Sequence, residues 1–176
     1  GQETVVSRNP QVLLKADKVI LPGVGSFGDA MENLKKYGLV PVIHEIVEKG
    51  TPFLGICLGL QLLFESSDET PGVEGLGILK GKILRIPPST GLKIPHMGWN
   101  KLELRSPSPL LEGAEGEYVY FVHSFHAEPE DRSIITSVCD YGMEVTASVG
   151  RGNVQAFQFH PEKSSRVGMR LLKNFV

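Results

Sequence analysis

Two short segments hold the side chains able to do covalent chemistry. Gly55-Ile56-Cys57-Leu58-Gly59 directly follows an apolar run, and Gln158-Phe159-His160-Pro161-Glu162 lies near the end of the sequence. Cys57 is a nucleophile, His160 a base and Glu162 a carboxylate able to orient that base, the division of labour on which triad hydrolases run. In the first segment Cys stands where a nucleophile elbow has Ser, and the flanking glycines let the chain turn sharply from strand to helix. In the second, an imidazole and a carboxylate two positions apart point to the same side if the segment is an extended strand. Pro161 withholds a backbone donor and tends to end a ladder there. A free cysteine titrates near roughly 8.5, and both a helix N-terminus and a nearby imidazole lower that value. Cys57 is placed for both effects. Taken singly, the three residues have plainer explanations, as a small packed thiol, a structural histidine and a surface charge. Their combination points to a hydrolase or transferase working through a thiolate.

The elements that must position these residues read as α/β, with strands alternating with helices in the first half and strands dominating the second. Thr4–Ser7 and Lys18–Leu21 read as strands, the second stopping at the turn Pro22-Gly23-Val24-Gly25. A helix from Ser26 to about Lys36 follows, with Ser26 as cap, Asp29 in the first turn, and Phe27, Ala30, Met31 and Leu34 at helical spacing. Gly38 ends it. The stretch Val42–Lys49 repeats that periodicity between Pro41 and Gly50. A strand Pro52–Ile56 then delivers Cys57 to the start of a helix Leu58–Glu65. Further strand-like runs are Ile78–Ile86, Lys101–Leu104, Tyr118–His123, Ile134–Val138, Glu144–Val149 and Val154–Phe159. A closing helix over Ser164–Phe175 has a Ser pair to cap it and Val167, Leu171, Leu172 and Phe175 on one face.

Composition sets outer bounds on what the chain does. With 176 residues, 41% hydrophobic and 22% charged, residues 1–176 fit a single domain with a full core. A net charge of -2 and a pI near 6.2, with no Lys/Arg cluster, argue against a nucleic-acid surface. No apolar stretch approaches the roughly 20 residues that span a bilayer, and Gly1-Gln2-Glu3-Thr4 is not a secretory signal. The expectation is a soluble, cytoplasmic protein with no membrane partner. Two cysteines, Cys57 and Cys139, are too few for a disulfide framework, and Cys139 reads as a small core residue. His123 and His126 have no Cys or carboxylate pattern to complete a zinc site, and no glycine-rich phosphate loop is present. Neither metal nor cofactor is expected.

The two motifs, extended to Gly55-Ile56-Cys57-Leu58-Gly59-Leu60-Gln61 and Gln158-Phe159-His160-Pro161-Glu162-Lys163-Ser164, resemble those of class I (triad) glutamine amidotransferases. Within that class, three segments are most similar to the glutaminase subunits of imidazole glycerol phosphate synthase. They are Leu21-Pro22-Gly23-Val24-Gly25-Ser26-Phe27-Gly28, Pro95-His96-Met97-Gly98-Trp99-Asn100 and Tyr120-Phe121-Val122-His123-Ser124-Phe125. Sister glutaminases of the purine, pyrimidine, tryptophan and pteridine pathways usually lack the Met-Gly-Trp-Asn block. The resemblance covers nearly the whole chain and implies a three-layer, flavodoxin-like α/β fold around a central mixed, mainly parallel sheet. Proteins of this family open with a strand and a turn-plus-helix carrying an Asp-Tyr-Gly-x-Gly-Asn-like segment. That segment is not in the sequence, so the resemblance implies a fragmentary record that starts downstream of it and lacks any interface contact the turn makes.

The resemblance also implies a reaction. Cys57 attacks the side-chain amide of glutamine, His160 held by Glu162 protonates the departing ammonia, and water hydrolyses the glutamyl thioester. The Leu58 N–H is one natural oxyanion donor, and the Gly23-Val24-Gly25 turn is expected to give the second through Val24. Such a turn can flip a peptide at low steric cost, so a partner could switch the oxyanion hole on. Gly25, Gln61, Ser124 and Phe125 are the positions implied for binding glutamine. The implied partner is a (β/α)8-barrel cyclase in a heterodimer that consumes the ammonia, with Met97, Trp99, Tyr120 and Lys163 at its interface. A half-buried core Trp99 is the plainer alternative for that residue. Two readings of other kinds stand beside this one: a γ-glutamyl-peptidase-like thiol hydrolase on the same scaffold, and a catalytically silent regulatory module.

Overall fold

The structure is a computed structural model that describes residues 2–88 and 91–176. In chain order its elements are α1 (Pro10–Leu13), β1 (Val19–Gly23), α2 (Phe27–Lys36), α3 (Leu39–Glu48), β2 (Phe53–Cys57), α4 (Leu58–Leu62), β3 (Ser66–Ser67), β4 (Gly81–Arg85), β5 (His96–Lys101), β6 (Glu103–Leu104), β7 (Tyr118–His123), β8 (Phe125–Pro129), β9 (Ile135–Asp140), β10 (Glu144–Arg151), β11 (Val154–Phe157) and α5 (Ser165–Phe175). Six strands form the central mixed sheet in the order β1-β2-β11-β10-β9-β6. It is parallel across β1, β2 and β11, the part that carries Cys57, and antiparallel beyond. A smaller sheet β3-β4-β8 and a two-stranded ribbon β5-β7 flank it.

Every residue of β2 is buried, as a strand covered on both faces must be. Its side chains alternate between two cores. Phe53 packs with Phe27, Met31, Ile43 and Ile46 of α2 and α3 on one side, and Leu54 and Ile56 pack with Phe121 of β7 and Leu171 and Phe175 of α5 on the other. Truncating Phe53 to Ala would cost about 3–5 kcal/mol by the usual transfer and cavity penalties. Those two helical layers enclose the sheet and fix where β2 ends.

Local chemistry accounts for most of the helix limits. Ser26 Oγ accepts from Asp29 N–H and starts α2, and Gly38, at φ 64°, separates α2 from α3. α3 begins at Leu39, ahead of Pro41, because that residue lies in the first turn, where its missing N–H costs nothing. The helix expected over Leu58–Glu65 stops at Leu62. Its next carbonyls are taken from outside: Leu76 donates to Leu62, Leu79 to Leu63, Gly77 to Phe64 and Gly75 to Glu65.

Several strand expectations change. Thr4–Ser7 joins no ladder, Val5 and Val6 are exposed, and the first element is instead α1, capped by Asn9 Oδ1 on Gln11 N–H. Ile78–Ile86 narrows to β4. The run at Lys101–Leu104 divides at buried Leu102 between β5, which starts five residues earlier at His96, and β6 in the other sheet. Ile134 belongs to a short 3-10 turn before β9, which runs on to Asp140, and β10 runs on to Arg151. β8 was not anticipated. The run Val154–Phe159 leaves the sheet after Phe157.

Candidate active site

Cys57 ends β2 and precedes α4, with φ 53° and ψ -108°, a strained conformation for a residue with a side chain. The glycines make this turn possible by close approach. A Cβ on Gly59 would overlap the Leu21 carbonyl oxygen of β1, and one on Gly55 would lie 2.9 Å from the Gly59 carbonyl. Gly23, at the end of β1, is the parallel-ladder partner of Cys57, so the Gly23-Val24-Gly25 turn begins beside Cys57. Val24 is 83% exposed and Gly25 has φ 96°.

The second motif reaches Cys57 because β11 pairs with β2, with Phe157 opposite Ile56. His160 Nδ1 lies 2.7 Å from Glu162 Oε1. The expected pairing exists, but a turn makes it rather than strand alternation: Pro161–Lys163 is a single 3-10 turn started by the proline. With Nδ1–H given to Glu162, Nε2 is the basic nitrogen, and it is buried without a hydrogen-bond partner among the described residues. The two motifs meet where Gln158, two residues before His160, reaches Cys57 Sγ with its Nε2 at 3.9 Å, and Cys57 Sγ and His160 Nε2 are not hydrogen-bonded to each other.

The electrostatics of Cys57 differ from expectation. Burial pushes its thiol up to about 11; the Leu58 N–H and the charge of Lys163 act the other way, and the charge of Glu162 adds to the rise. A helix start does supply a donor, as its sequence position implied. At 8% exposure, desolvation outweighs it.

The remaining site positions divide into two groups. Gln61 is buried on α4, and its Nε2 donates at 3.1 Å to both the Phe125 carbonyl and Gln158 Oε1. Its amide nitrogen is committed inside the protein. Ser124 lies between β7 and β8, and its carbonyl accepts from Ile86 N–H. Met97, Trp99, Tyr120 and Lys163 gather on the outer face of the ribbon, away from the core. Met97 and Trp99 are 61% and 53% exposed, the Trp99 and Tyr120 rings stand edge to face at 6.0 Å, and Lys163 Nζ lies 5.9 Å from the Tyr120 ring centre. Trp99 is thus not a core residue.

Three contacts at the site were not anticipated. Ser164, expected as a helix cap, makes no capping bond; its buried hydroxyl accepts from Tyr120 N–H and donates to the His160 carbonyl, while His160 N–H donates to the Tyr120 carbonyl. Gln158 is fully buried beside Cys57. His96 and His123 pair across the inner face of the ribbon at 2.9 Å. All four residues sit inside the quoted sequence blocks, which is the only signal the sequence gives of them. His123 and His126 form no metal cluster among the described residues, and no described helix is long and apolar enough to cross a membrane. Cys139 is buried in the core and unpaired, as expected.

The family model described as glutamine amidotransferase class-I matches residues 3–176. The chain belongs to the class I glutamine amidotransferases. It is 55% identical over 174 residues to the imidazole glycerol phosphate synthase subunit HisH of Aquifex aeolicus, covering 98% of this chain and 83% of that protein. It is 51% identical to the subunit of the same name from Methanothermobacter thermautotrophicus, covering 100% of this chain and 86% of the relative. Among solved structures, a glutamine amidotransferase superposes with a TM-score of 0.72 at 20% identity, over 96% of this chain and 84% of that one. PurLQS from Thermotoga maritima gives 0.67 at 23%, over 90% and 78%. Both likenesses concern the fold, and they agree with the α/β architecture around a mixed central sheet.

Proposed function

We propose that this chain is the glutaminase subunit of an imidazole glycerol phosphate synthase, hydrolysing glutamine at Cys57 and passing ammonia to a cyclase partner for histidine biosynthesis. The observation that carries the reading is the Cys57 elbow on β2 in contact with Gln158 of the motif whose His160–Glu162 pair is bonded at 2.7 Å, in a chain half identical to subunits of that name. In the reaction, Sγ adds to the glutamine side-chain carbonyl and its proton passes to His160 Nε2. The Leu58 N–H and the Val24 N–H, brought inward by rotation of the Gly23–Gly25 turn, hold the oxyanion. The C–N bond then breaks, with the proton from His160 completing ammonia. Water, deprotonated by the same nitrogen, cleaves the thioester to glutamate and frees the thiol. Gln61 Oε1 with the backbone of Ser124, Phe125 and Gly25 holds the amino-acid end of the substrate.

Ammonia released into water is protonated and diluted, so a docked consumer is part of the reading. The exposed Met97–Trp99–Tyr120 face, with Lys163 at its margin, has the composition of an interface anchor and supports a (β/α)8-barrel cyclase as heterodimeric partner. A thiol held near 11 and an unbonded Nε2 support a site that is slow alone and completed by that partner. The cytoplasm is the compartment of such a pathway. Glutamate release by the chain alone, with the cyclase and its ribonucleotide substrate, and by Cys57→Ala tests this. Low basal release, strong stimulation in the complex and silence of the variant are expected; equal release in all unmutated conditions would indicate a self-sufficient thiol hydrolase.

A further inference from the structure

Gln158 is fully buried beside the nucleophile, and the reaction as described leaves it unused. Its Nε2 lies 3.9 Å from Cys57 Sγ and its Oε1 accepts from Gln61 Nε2 at 3.1 Å. A carboxamide can be turned end for end, so the polarity of this contact needs a fixed reference. The Phe125 carbonyl provides it, because a backbone acceptor cannot be reversed and Gln61 Nε2 donates to it at 3.1 Å. Turning Gln61 would set oxygen against oxygen there. With Gln61 fixed, the second hydrogen of its Nε2 requires Gln158 to present Oε1, and that leaves Gln158 Nε2 on the sulfur.

The same carbonyl is anchored from its far side. His123 Nδ1 donates to it at 2.7 Å, and His96 Nδ1 donates to His123 Nε2 at 2.9 Å. Asn100 Nδ2 lies 3.3 Å from His96 Nε2 and donates to the Asp140 carbonyl at 2.8 Å. Two backbone carbonyls, of Phe125 and Asp140, thus dictate the orientation of every side chain in the series. Each ring must keep one acceptor nitrogen, and burial keeps both neutral by pushing His96 to about 4 and His123 to about 3.

We propose that Gln158 is a positioning residue for the nucleophile, locked by Gln61 and the Phe125 carbonyl so that its amide N–H points at Cys57 Sγ and stabilises the thiolate as it forms. The proposal rests on the reading of Cys57 as nucleophile. A sulfur this deeply buried gains its anionic form with the help of donors and positive charge; among the described residues the Leu58 N–H and Gln158 Nε2 are donors to it, and the charge of Lys163 acts in the same direction.

The test compares wild type, Gln158→Met, Gln61→Met and Cys57→Ala in the complex with the cyclase. Methionine keeps the length of the side chain and removes the donor. A hydrogen bond to a charged group is worth roughly tenfold to hundredfold. The expected result is a fall of that size in the rate at which iodoacetamide alkylates Cys57 at neutral pH, read on the Cys57 peptide, with a matching fall in kcat and little change in KM for glutamine. Gln61→Met, which leaves Gln158 in place but unlocked, lowers alkylation by a smaller factor and serves if Gln158→Met does not fold. Wild-type alkylation in both folded variants overturns the proposal, since a filler residue would not move the reactivity of the thiol. Cys57→Ala that still releases glutamate would instead overturn the nucleophile assignment, whatever alkylation shows.

Discussion

Cys57 is held by backbone packing inside the six-stranded sheet, whereas His160 is held by hydrogen bonds from the two-stranded ribbon outside it. On the Cys57 side, a Cβ added to the glycines would run into its neighbours: at Gly59 the Leu21 carbonyl, at Gly55 the Gly59 carbonyl, at Gly23 the Leu58 side chain. No room for a side chain remains at Gly55 or Gly59. On the base's side, Tyr120 both accepts from His160 N–H and donates to the Ser164 hydroxyl that binds the His160 carbonyl. The other face of the same strand pair carries exposed Trp99 and the Tyr120 ring. A partner seated on the ribbon therefore touches the strand that fixes the base and not the one that fixes the nucleophile. The difference suggests a division between a rigid thiol and an adjustable acid–base group, and it can be broken at either end.

The largest effect is expected from Glu162→Gln, which keeps a hydrogen-bonding group near Nδ1 but removes the carboxylate that sets the tautomer. Turnover in the complex should fall on the order of 10²–10⁴-fold with the melting temperature little changed. Near-wild-type turnover would mean the ribbon alone sets His160.

Acid should loosen the ribbon before the sheet. His96 and His123 are held neutral in the folded chain, at about 4 and about 3, while unfolded rings take up protons near 6.5. The unfolded state then binds more protons below about 6.5, so stability is intact above that pH and falls as pH drops toward about 4, by on the order of 1 kcal/mol per pH unit for each ring. Chemical denaturation across that range should show the slope, and His96→Phe should reduce it. An unchanged slope would place the acid-sensitive groups elsewhere.

On the sheet side, Gly59→Ala forces a methyl against the Leu21 carbonyl. A loss of about 1–3 kcal/mol or more is expected in thermal or denaturant unfolding, with loss of turnover in whatever remains folded. Ser164→Ala is the milder counterpart on the ribbon side, since it leaves the part-buried Tyr120 N–H and the His160 carbonyl each one partner short. It should cost about 1–3 kcal/mol and lower kcat with KM for glutamine nearly unchanged. If KM rose instead, the hydroxyl would be supporting substrate binding rather than the base.

The elbow was legible in the sequence because steric need writes itself as residue type: Gly55 and Gly59 stand where a Cβ cannot. The His160–Glu162 pair was legible as a pair, but its geometry was not, because Pro161 opens a 3-10 turn where an extended strand was expected. The early end of α4 was hidden because its carbonyl partners come from residues 75–79, and no local pattern announces them. β8, with His126, Glu128 and Pro129 among its five residues, lacks the composition of a strand and exists through its ladder to β4. Likewise the thiol's height near 11 is a property of burial, which only the packed molecule has. Trp99 could be read as anchor or core, and the alternation of β5 decides for the outer face.

The most direct measurement is to mix the chain and its cyclase with glutamine, quench in acid within a turnover, and locate any glutamyl adduct by mass spectrometry. The account predicts a glutamyl thioester on the Cys57 peptide, enriched in Glu162→Gln and absent in Cys57→Ala. Glutamate formed with no acyl species on Cys57, or an adduct on another residue, would contradict it.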